Sequence, residues 1–289
     1  MAVMGQMLTI FTIPKPFKGH DNIIQRNAIQ SWLKLRPRCE IIISGDDAGV
    51  AETAHELGVK HIASIEKNEF GTPLLSSAFS SAQKLAENNI LMYTNSDVVF
   101  FQDLIEAIKR IDKPSFLLCG RRWDLDIEEE IDFTNNGWTD KLLERVKSEG
   151  KLHGLSGMDY FVFPRNSVDM PAFAVGRPGW DTWLIYNMRS RRVPVINATD
   201  AITVIHQNHD FTHSKFGEKN RVGGPEWQRN IEIAGGLTNM LTLRDASWVL
   251  GESGLRRPDF TARIFSILSI YYPWRFLLAL KRKIQNFRS

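Results

Sequence analysis

Cysteine is scarce in this chain: there are two among 289 residues, Cys39 and Cys119. Each falls in an apolar stretch with the pattern of a buried strand. We therefore expect two free thiols in the core rather than a disulfide. Such usage is typical of proteins kept in a reducing compartment, so the sequence favours a cytoplasmic location.

Glycine-rich phosphate-binding loops are missing as well. The chain contains neither G-x-G-x-x-G nor G-x-x-x-x-G-K-[ST], which excludes the common signatures of dinucleotide-binding and P-loop proteins. The N-terminus has no basic segment followed by a long apolar one. We expect neither a signal peptide nor a membrane-spanning helix before residue 260.

Positive charge is concentrated in the C-terminal tail. Residues 256–289 contain eight Lys or Arg and one acid, although the whole chain has a net charge of only +3. A nucleic-acid-binding protein would carry its charge on the main domain, so we expect no nucleic-acid partner. Within 260–289, Pro273 and Arg275 interrupt the apolar residues, and aromatic and basic side chains surround them. This pattern predicts an amphipathic helix on the cytoplasmic face of an anionic membrane, with packing against the domain as the alternative.

Apolar strand-like stretches alternate with helical patterns in the first 120 residues. We predict strands at 8–13, 40–44, 59–62, 90–94 and 115–119. The helices between them are predicted at 22–35 (with Asp21 as N-cap), 48–57, 74–87 and 102–111. The second half is less regular, with strand-like stretches at 159–163 and 193–205 and helices near 139–148, 181–189 and 226–234. Wholly apolar strands separated by helices indicate an α/β fold with a mostly parallel central sheet.

Polar residues stand at the ends of three predicted strands, where the ligands of parallel sheets bind. Thr12 and Pro14 follow the first strand, Asp46 follows the second, and Asn95 and Asp97 follow the strand at 90–94. Asp97 lies inside the apolar run ILMYTNSDVVFF, where a buried carboxylate is costly without a charge partner. It either caps the helix that begins near residue 102 or holds a divalent cation.

Two glycine-led turns in the second half carry further carboxylates. Asp159 stands before a strand in GMDYF, and Asp181 stands at the start of a helix in GWDTWL. A carboxylate at such a position can act as a general base, or it can simply cap the helix. Trp180 could stack on the apolar face of a sugar ring.

Arginines and a basic loop lie between these motifs. Arg122, in CGRRWDLD, could bind a diphosphate or an acidic group, or pair with Asp124 or Asp126 as a loop clamp. The segment 216–225, FGEKNRVGGP, is glycine-rich and basic. It could close over a bound nucleotide, or it could be an ordinary loop.

Three histidines, His206, His209 and His213, follow a strand predicted at 201–205. Their H-x2-H-x3-H spacing could indicate zinc, but no cysteine lies nearby to complete a closed structural site. A hydrogen-bonded loop is the simpler alternative.

The strand order, the acidic turn after the second strand and the later x-x-D turn resemble glycosyltransferases of the GT-A fold, family 2-like members in particular. Their hallmark is a D-x-D motif that binds metal and nucleotide sugar, and this chain has Asn95-Ser96-Asp97 instead. The resemblance covers roughly residues 7–210. It implies a GT-A (Rossmann-like) domain over 1–255, with a nucleotide-sugar-binding half (1–120) and an acceptor-binding half (121–255). A basic amphipathic helical tail would occupy 256–289.

The resemblance also implies an activity and a role for each candidate residue. The enzyme would move a sugar, with inversion, from a nucleotide-diphosphate donor to a hydroxyl of a glycan or lipid-linked acceptor, in polysaccharide or glycoconjugate synthesis. Mg²⁺ or Mn²⁺ would be held by Asp97 and His206, and Asp181 would be the catalytic base. The donor would contact Thr12, Pro14, Asp46, Asn95 and Asp97, and the acceptor would contact Arg122, Asp159, Trp180 and His209.

Two other functions remain open at this level. A sugar nucleotidyltransferase would need a loop for the triphosphate after the first strand. The stretch Pro14–Gly19 supplies two lysines and one glycine there. A non-catalytic glycan- or membrane-binding module on a degenerate transferase fold would explain Asn95 in place of the first Asp. Nucleotide binding separates the module from an enzyme, and release of pyrophosphate identifies a nucleotidyltransferase.

Overall fold

The computed structural model describes residues 7–209 and 222–261, together with positions 264, 267 and 270. Three features singled out in the sequence lie wholly or largely outside these residues: His213, most of the 216–225 loop and most of the C-terminal tail. Within the described part of the chain, no helix has the length and apolar character needed to cross a membrane.

The described residues form strands and α-helices in a largely alternating order. The strands are β1 (Thr9–Thr12), β2 (Glu40–Ser44), β3 (Lys60–Ile62), β4 (Ile90–Thr94), β5 (Val98–Phe100), β6 (Leu117–Cys119), β7 (Trp123–Leu125), β8 (Lys151–Leu152), β9 (Tyr160–Pro164), β10 (Val195–Asn197), β11 (Val204–Gln207), β12 (Trp248–Gly251) and β13 (Gly254–Arg256). The helices are α1 (Gly19–Lys34), α2 (Val50–Leu57), α3 (Leu75–Leu85), α4 (Asp103–Lys109), α5 (Trp138–Glu149), α6 (Trp180–Ser190) and α7 (Pro225–Ile233). Two 3₁₀ turns, Leu237–Asn239 and Leu243–Asp245, follow α7.

A nine-stranded sheet runs through the molecule in the order β13-β12-β10-β6-β9-β4-β1-β2-β3. Most pairings are parallel, and the antiparallel ones involve β9 and β13. The predicted α/β class with a mostly parallel central sheet is therefore confirmed. The predicted boundary between domain and tail, at 255–256, falls within β13.

Helices cover both faces of the large sheet. Side chains alternate between these faces along each strand, so neighbouring residues of one strand pack in different cores. Phe11 packs on one face with α3 and α6, and its neighbour Ile10 packs on the other with α1, α2 and α4. Both Phe11 and Ile10 are fully buried. Cys39 and Cys119 are free and buried, one in each of these two cores, as predicted.

A second sheet of four strands, in the order β5-β11-β7-β8, packs against α5. The sequence did not predict it. The apolar residues directly after Asp97 form strand β5. The stretch 193–205 divides into β10, in the large sheet, and β11, in the small one. Strand β11 also extends through His206, which we had expected to follow the strand.

One further expectation was wrong. Asp21 is not the N-cap of the first helix: α1 begins two residues before Asp21, with Lys18 as its cap, and the Asp21 carboxylate binds the Lys15 ammonium at 3.0 Å. Strand β9, whose direction the sequence did not indicate, is antiparallel to its neighbours β4 and β6. Because its direction is reversed, β9 begins at the edge where parallel β4 ends, and Tyr160 pairs with Thr94.

Candidate active site

The register of the small sheet brings together three side chains from distant parts of the sequence. In the antiparallel pair β5–β11, His206 lies opposite Val98, the residue after Asp97. In the parallel pair β11–β7, the same histidine lies opposite Asp124. The neighbouring Gln207 fixes this arrangement, since its backbone and side-chain nitrogens both donate to the Asp97 carbonyl.

Asp97 is a buried carboxylate held between two imidazoles. Its Oδ2 lies 3.0 Å from His209 Nε2 and 3.8 Å from His206 Nε2. Burial raises the pKa of Asp97, but the two histidines and Lys15 outweigh it and hold that pKa well below its usual value. Asp97 therefore remains ionised, and the helix-capping alternative is ruled out, because its carboxylate oxygens face β11 and its loop.

Asp124 orients His206 from the other side. His206 Nδ1 lies 3.5 Å from Asp124 Oδ1, and His153 Nδ1 lies 2.7 Å from Asp124 Oδ2. Burial lowers the pKa of His206, but Asp97 and Asp124 outweigh it, so that pKa is raised. A Cβ at Gly157 would lie 2.1 Å from the His153 ring, so only glycine lets that imidazole pack where it does.

Arg122 and Asn95 both bind Asp159, which stands at the start of antiparallel β9. Arg122 Nη1 donates to Asp159 Oδ2, and its Nε donates to Asp124 Oδ1 at 2.8 Å. The Asn95 amide donates to Asp159 Oδ1 at 2.8 Å. Arg122 thus pairs with Asp124, one of its two expected partners, and with Asp159 in addition. The two residues predicted to bind the acceptor, Arg122 and Asp159, form one ion pair.

A cavity of about 700 Å³ joins these groups to the start of α6. Of the predicted site residues it is lined by Asn95, Arg122, Asp159, Trp180, Asp181, His206 and His209. Gly179, which precedes α6, has a φ of +117°, a backbone conformation that favours glycine. Burial raises the pKa of Asp181, and the charge of Asp159 raises it further. Asp181 is thus a carboxylate of increased basicity facing a cavity.

Three predicted site residues, Thr12, Pro14 and Asp46, do not line this cavity. Thr12 is buried at the end of β1, and Pro14 is buried just beyond it. Asp46 follows β2, is largely exposed and binds Lys67. Trp180 is only 6% exposed, because its ring packs edge-on against Tyr93 and Phe161. Stacking of a sugar on Trp180, and donor contacts by Thr12, Pro14 and Asp46, stay predictions.

Lys15 is a site residue that the sequence analysis missed. Its ammonium lies 3.3 Å from His209 Nδ1. Buried Gln25 fixes the position of this residue: the Gln25 Oε1 accepts from the Lys15 backbone N–H and from Ser96 Oγ, both at 2.7 Å. Lys15 follows β1 by three positions, but a lysine in a loop is too common to be singled out without this contact.

Asp97, His206 and His209 together offer a fitting ligand set for a divalent cation. Each provides one ligand atom, and these atoms lie within 4.8 Å of one another. Asp97 Oδ1 is buried and has no hydrogen-bond partner among the described residues, as expected of an atom reserved for an ion. Asp124 would orient His206 as a ligand, which is the usual arrangement at metal-bound histidines. His209, predicted to contact the acceptor, thus lies beside the two predicted metal ligands.

Comparison with known proteins gives similarities of structure only. No protein-family model and no curated protein sequence matches this chain. Similar solved structures include S. aureus TarS 1–349 in complex with UDP-GlcNAc, at 12% identity and a TM-score of 0.49, covering 79% of this chain and 65% of that one. The mannosyltransferase PcManGT from Pyrobaculum calidifontis, in complex with GDP-Man and Mn²⁺, is 13% identical with a TM-score of 0.46, covering 96% of this chain and 74% of that one. Glucosyl-3-phosphoglycerate synthase from Mycobacterium tuberculosis, in complex with Mn²⁺, UDP and glucosyl-3-phosphoglycerate, is also 13% identical, with a TM-score of 0.41, covering 71% and 73%. This likeness concerns the fold and assigns no role to any residue of this chain.

Substitution of a triad residue is expected to weaken Mn²⁺ binding. Asp97→Asn, His206→Gln and His209→Gln each remove one ligand and should lower the affinity about ten-fold or more. Calorimetric titration of Mn²⁺ into each variant measures this, and His55→Gln, on the exposed side of α2, is the matched control. Unchanged affinity in all three triad variants would show that the ion does not bind here.

Proposed function

We propose that this chain is a nucleotide-sugar-dependent glycosyltransferase that moves a sugar to a hydroxyl of a glycan or lipid-linked acceptor, with inversion, in polysaccharide or glycoconjugate synthesis. The proposal rests on one observation. A triad able to hold a divalent cation lies beside the cavity that a carboxylate of raised pKa also faces. These are the two groups that transfer from a diphosphate donor requires: one for the charge of the leaving group and one for the proton of the acceptor.

On the proposed donor side the cavity is lined by His206, His209 and Arg122, and Asp97 and Lys15 lie next to His209. A divalent ion bound by Asp97, His206 and His209 would stabilise the negative charge that develops on the leaving diphosphate. Two imidazoles among three ligands suit Mn²⁺ better than Mg²⁺, which prefers oxygen ligands. Lys15 and Arg122 lie close enough to the triad and its partner Asp124 to contact phosphate oxygens. Thr12, Pro14, Asp46 and Asn95 would contact the base and ribose.

Asp181 is proposed as the general base. It stands in the first turn of α6, in contact with the cavity, and its raised pKa makes it a stronger proton acceptor than an ordinary aspartate. It would take the proton of the acceptor hydroxyl as the oxygen attacks the anomeric carbon. Attack on the face opposite the leaving diphosphate inverts the configuration.

Binding of a nucleoside diphosphate tests the proposal directly. We expect one of UDP, GDP, CDP and dTDP to bind in calorimetric titrations, and to bind more tightly with Mn²⁺ present, because an ion held by Asp97, His206 and His209 would supply positive charge for the diphosphate. Asp97→Asn should lose the Mn²⁺-dependent part of the affinity. If none of the four binds with or without Mn²⁺, the chain is not a nucleotide-sugar transferase, and a non-catalytic module becomes the better description.

Loss of the base should separate catalysis from binding. Asp181→Asn is expected to lower the transfer rate by about two orders of magnitude or more while nucleotide affinity stays unchanged. In the unmodified protein the rate should fall as the pH drops through the raised pKa of Asp181, since the protonated carboxyl cannot accept a proton. Asp126→Asn, which alters an exposed carboxylate bound to Asn208, is the matched control. Near-normal turnover by Asp181→Asn would contradict the assignment.

The tail is proposed to bind the cytoplasmic face of an anionic membrane. Phe260, Ile264 and Ile267 recur at helical spacing, and their side chains are 72%, 42% and 50% exposed. The basic residues of 256–289 supply attraction to anionic headgroups, which adds to burial of such an apolar stripe in the interface.

Removal of residues 260–289 is therefore expected to abolish co-sedimentation with phosphatidylglycerol-containing liposomes, while the full chain sediments with them. Replacing Lys281, Arg282 and Lys283 by Gln keeps the length of the tail and should weaken binding to anionic but not to neutral liposomes. Equal sedimentation of the full and truncated chains would exclude a membrane role for the tail.

A further inference from the structure

One wall of the active-site cavity is built from apolar side chains. It consists of Val222, Trp227, Ile231, Leu237 and Met240, which all line the cavity. We call these five residues the apolar wall. Val222 is 63% exposed and Leu237 is 48% exposed, although both are aliphatic. Contiguous exposed apolar side chains at a cavity indicate a surface that something apolar covers.

Two side chains of the wall, Trp227 and Ile231, belong to helix α7. Hydrogen bonds on the neighbouring face of α7 hold them toward the cavity. Glu226 and Asn230, four residues apart, share one face. Glu226 accepts from Arg177 Nη2 at 2.6 Å and from Asn68 at 2.9 Å, and Asn230 accepts from the Ala174 N–H. Trp227 and Ile231, each one position later, are thereby held toward the cavity. The wall is preformed, because a buried ion pair fixes the helix that carries it.

The apolar wall directly adjoins the proposed base. A Cβ at Gly179 would lie 3.0 Å from Met240 Cε and 3.5 Å from Ile231 Cδ1, so these two side chains pack against the backbone two residues before Asp181. A hydroxyl within reach of Asp181 would therefore have hydrocarbon side chains as its neighbours. Arg177 also lines the cavity near the wall, but its guanidinium is paired with Glu226 of α7, whereas Arg122, Asp124 and His153 line the cavity beside the small sheet.

We propose that the acceptor carries a hydrocarbon chain close to the hydroxyl that is glycosylated, so that it belongs to the lipid-linked class rather than to free glycans. This rests on the proposed function. The five side chains of the wall offer one hydrogen-bond donor among them, the indole N–H of Trp227. The hydroxyls of a free glycan would lose their water there without gaining partners, which disfavours binding. An alkyl or acyl chain gains from the same contact, and flexible Met240 can adapt to its shape.

Two glucosides that differ only in the alkyl group test the inference. Octyl β-D-glucoside, kept below its critical micelle concentration, and methyl β-D-glucoside are titrated into the full chain by calorimetry. The sugar is the same in both, so the ratio of their affinities reports the hydrocarbon alone. We expect octyl glucoside to bind about ten-fold or more tightly.

Substitution in the wall should remove this preference. Trp227→Ala and Ile231→Ser are expected to reduce the octyl-to-methyl ratio several-fold and to leave Mn²⁺ and nucleotide binding unchanged, since neither residue contacts the triad. Leu85→Ser alters an exposed leucine on α3 and is the matched control for non-specific binding of alkyl chains. Equal binding of the two glucosides would overturn the inference, as would a preference that survives both wall substitutions. The nucleotide titrations decide separately on the transferase itself, so the two proposals fail on different measurements.

Discussion

A buried aspartate with two histidine partners is the constraint on which this site depends. Asp97 ends the turn after a central strand, in surroundings where an uncompensated charge would be strongly destabilising. Its partners arrive about 110 residues later in the sequence, on β11 and the loop after it, and only the pairing of β11 with β5 brings them into contact. The small sheet therefore brings in the partners that stabilise the buried charge of Asp97. The same pairing brings together ligand atoms that could hold a cation. The contacts that stabilise the buried aspartate are therefore also those of the candidate metal site.

Asn95, two residues before Asp97, has a structural reason to be an amide. Its amide nitrogen lies 2.8 Å from Asp159, and Asp159 is already paired with Arg122. A carboxylate at position 95 would face the Asp159 carboxylate at that distance, and like charges so close cannot both ionise without a large penalty. An amide donates a hydrogen bond instead. An amide at position 95 therefore fits its partner Asp159, and Asp97 and the two histidines remain available for a cation.

The sequence predicted most strands of the large sheet but missed β12 and β13, and of the small sheet it predicted only the strand that corresponds to β11. Strands such as β2 and β4 are apolar throughout, and their bounds matched the pattern, because full burial leaves a clear signal. The short strands β5, β7 and β8 have three, three and two residues, too few for periodicity to be detected.

The reversed direction of β9 could not be predicted either, since a strand buried on both faces has the same apolar pattern in either orientation. That reversal places Asp159 beside Asn95. Asp97 and His206 could be named as candidate metal ligands from the sequence because both follow or end apolar strands, whereas Lys15 and Asp124 are identified as neighbours of these residues only through contacts.

The apolar wall also lies near Asp181, the carboxylate proposed as the base. Its pKa is raised chiefly by burial, and the nearby residues that exclude water from the start of α6 include Met240 and Ile231, which pack on Gly179. Had a glycan been the partner of this wall, polar side chains would be expected there. They would solvate the carboxylate and return its pKa toward the ordinary range. In the proposed mechanism, hydrocarbon next to Asp181 would have two consequences: it would make the carboxylate a stronger base, and it would favour an acceptor that can cover that hydrocarbon. The proposed base and the proposed apolar acceptor would in this way be linked properties of the same cavity.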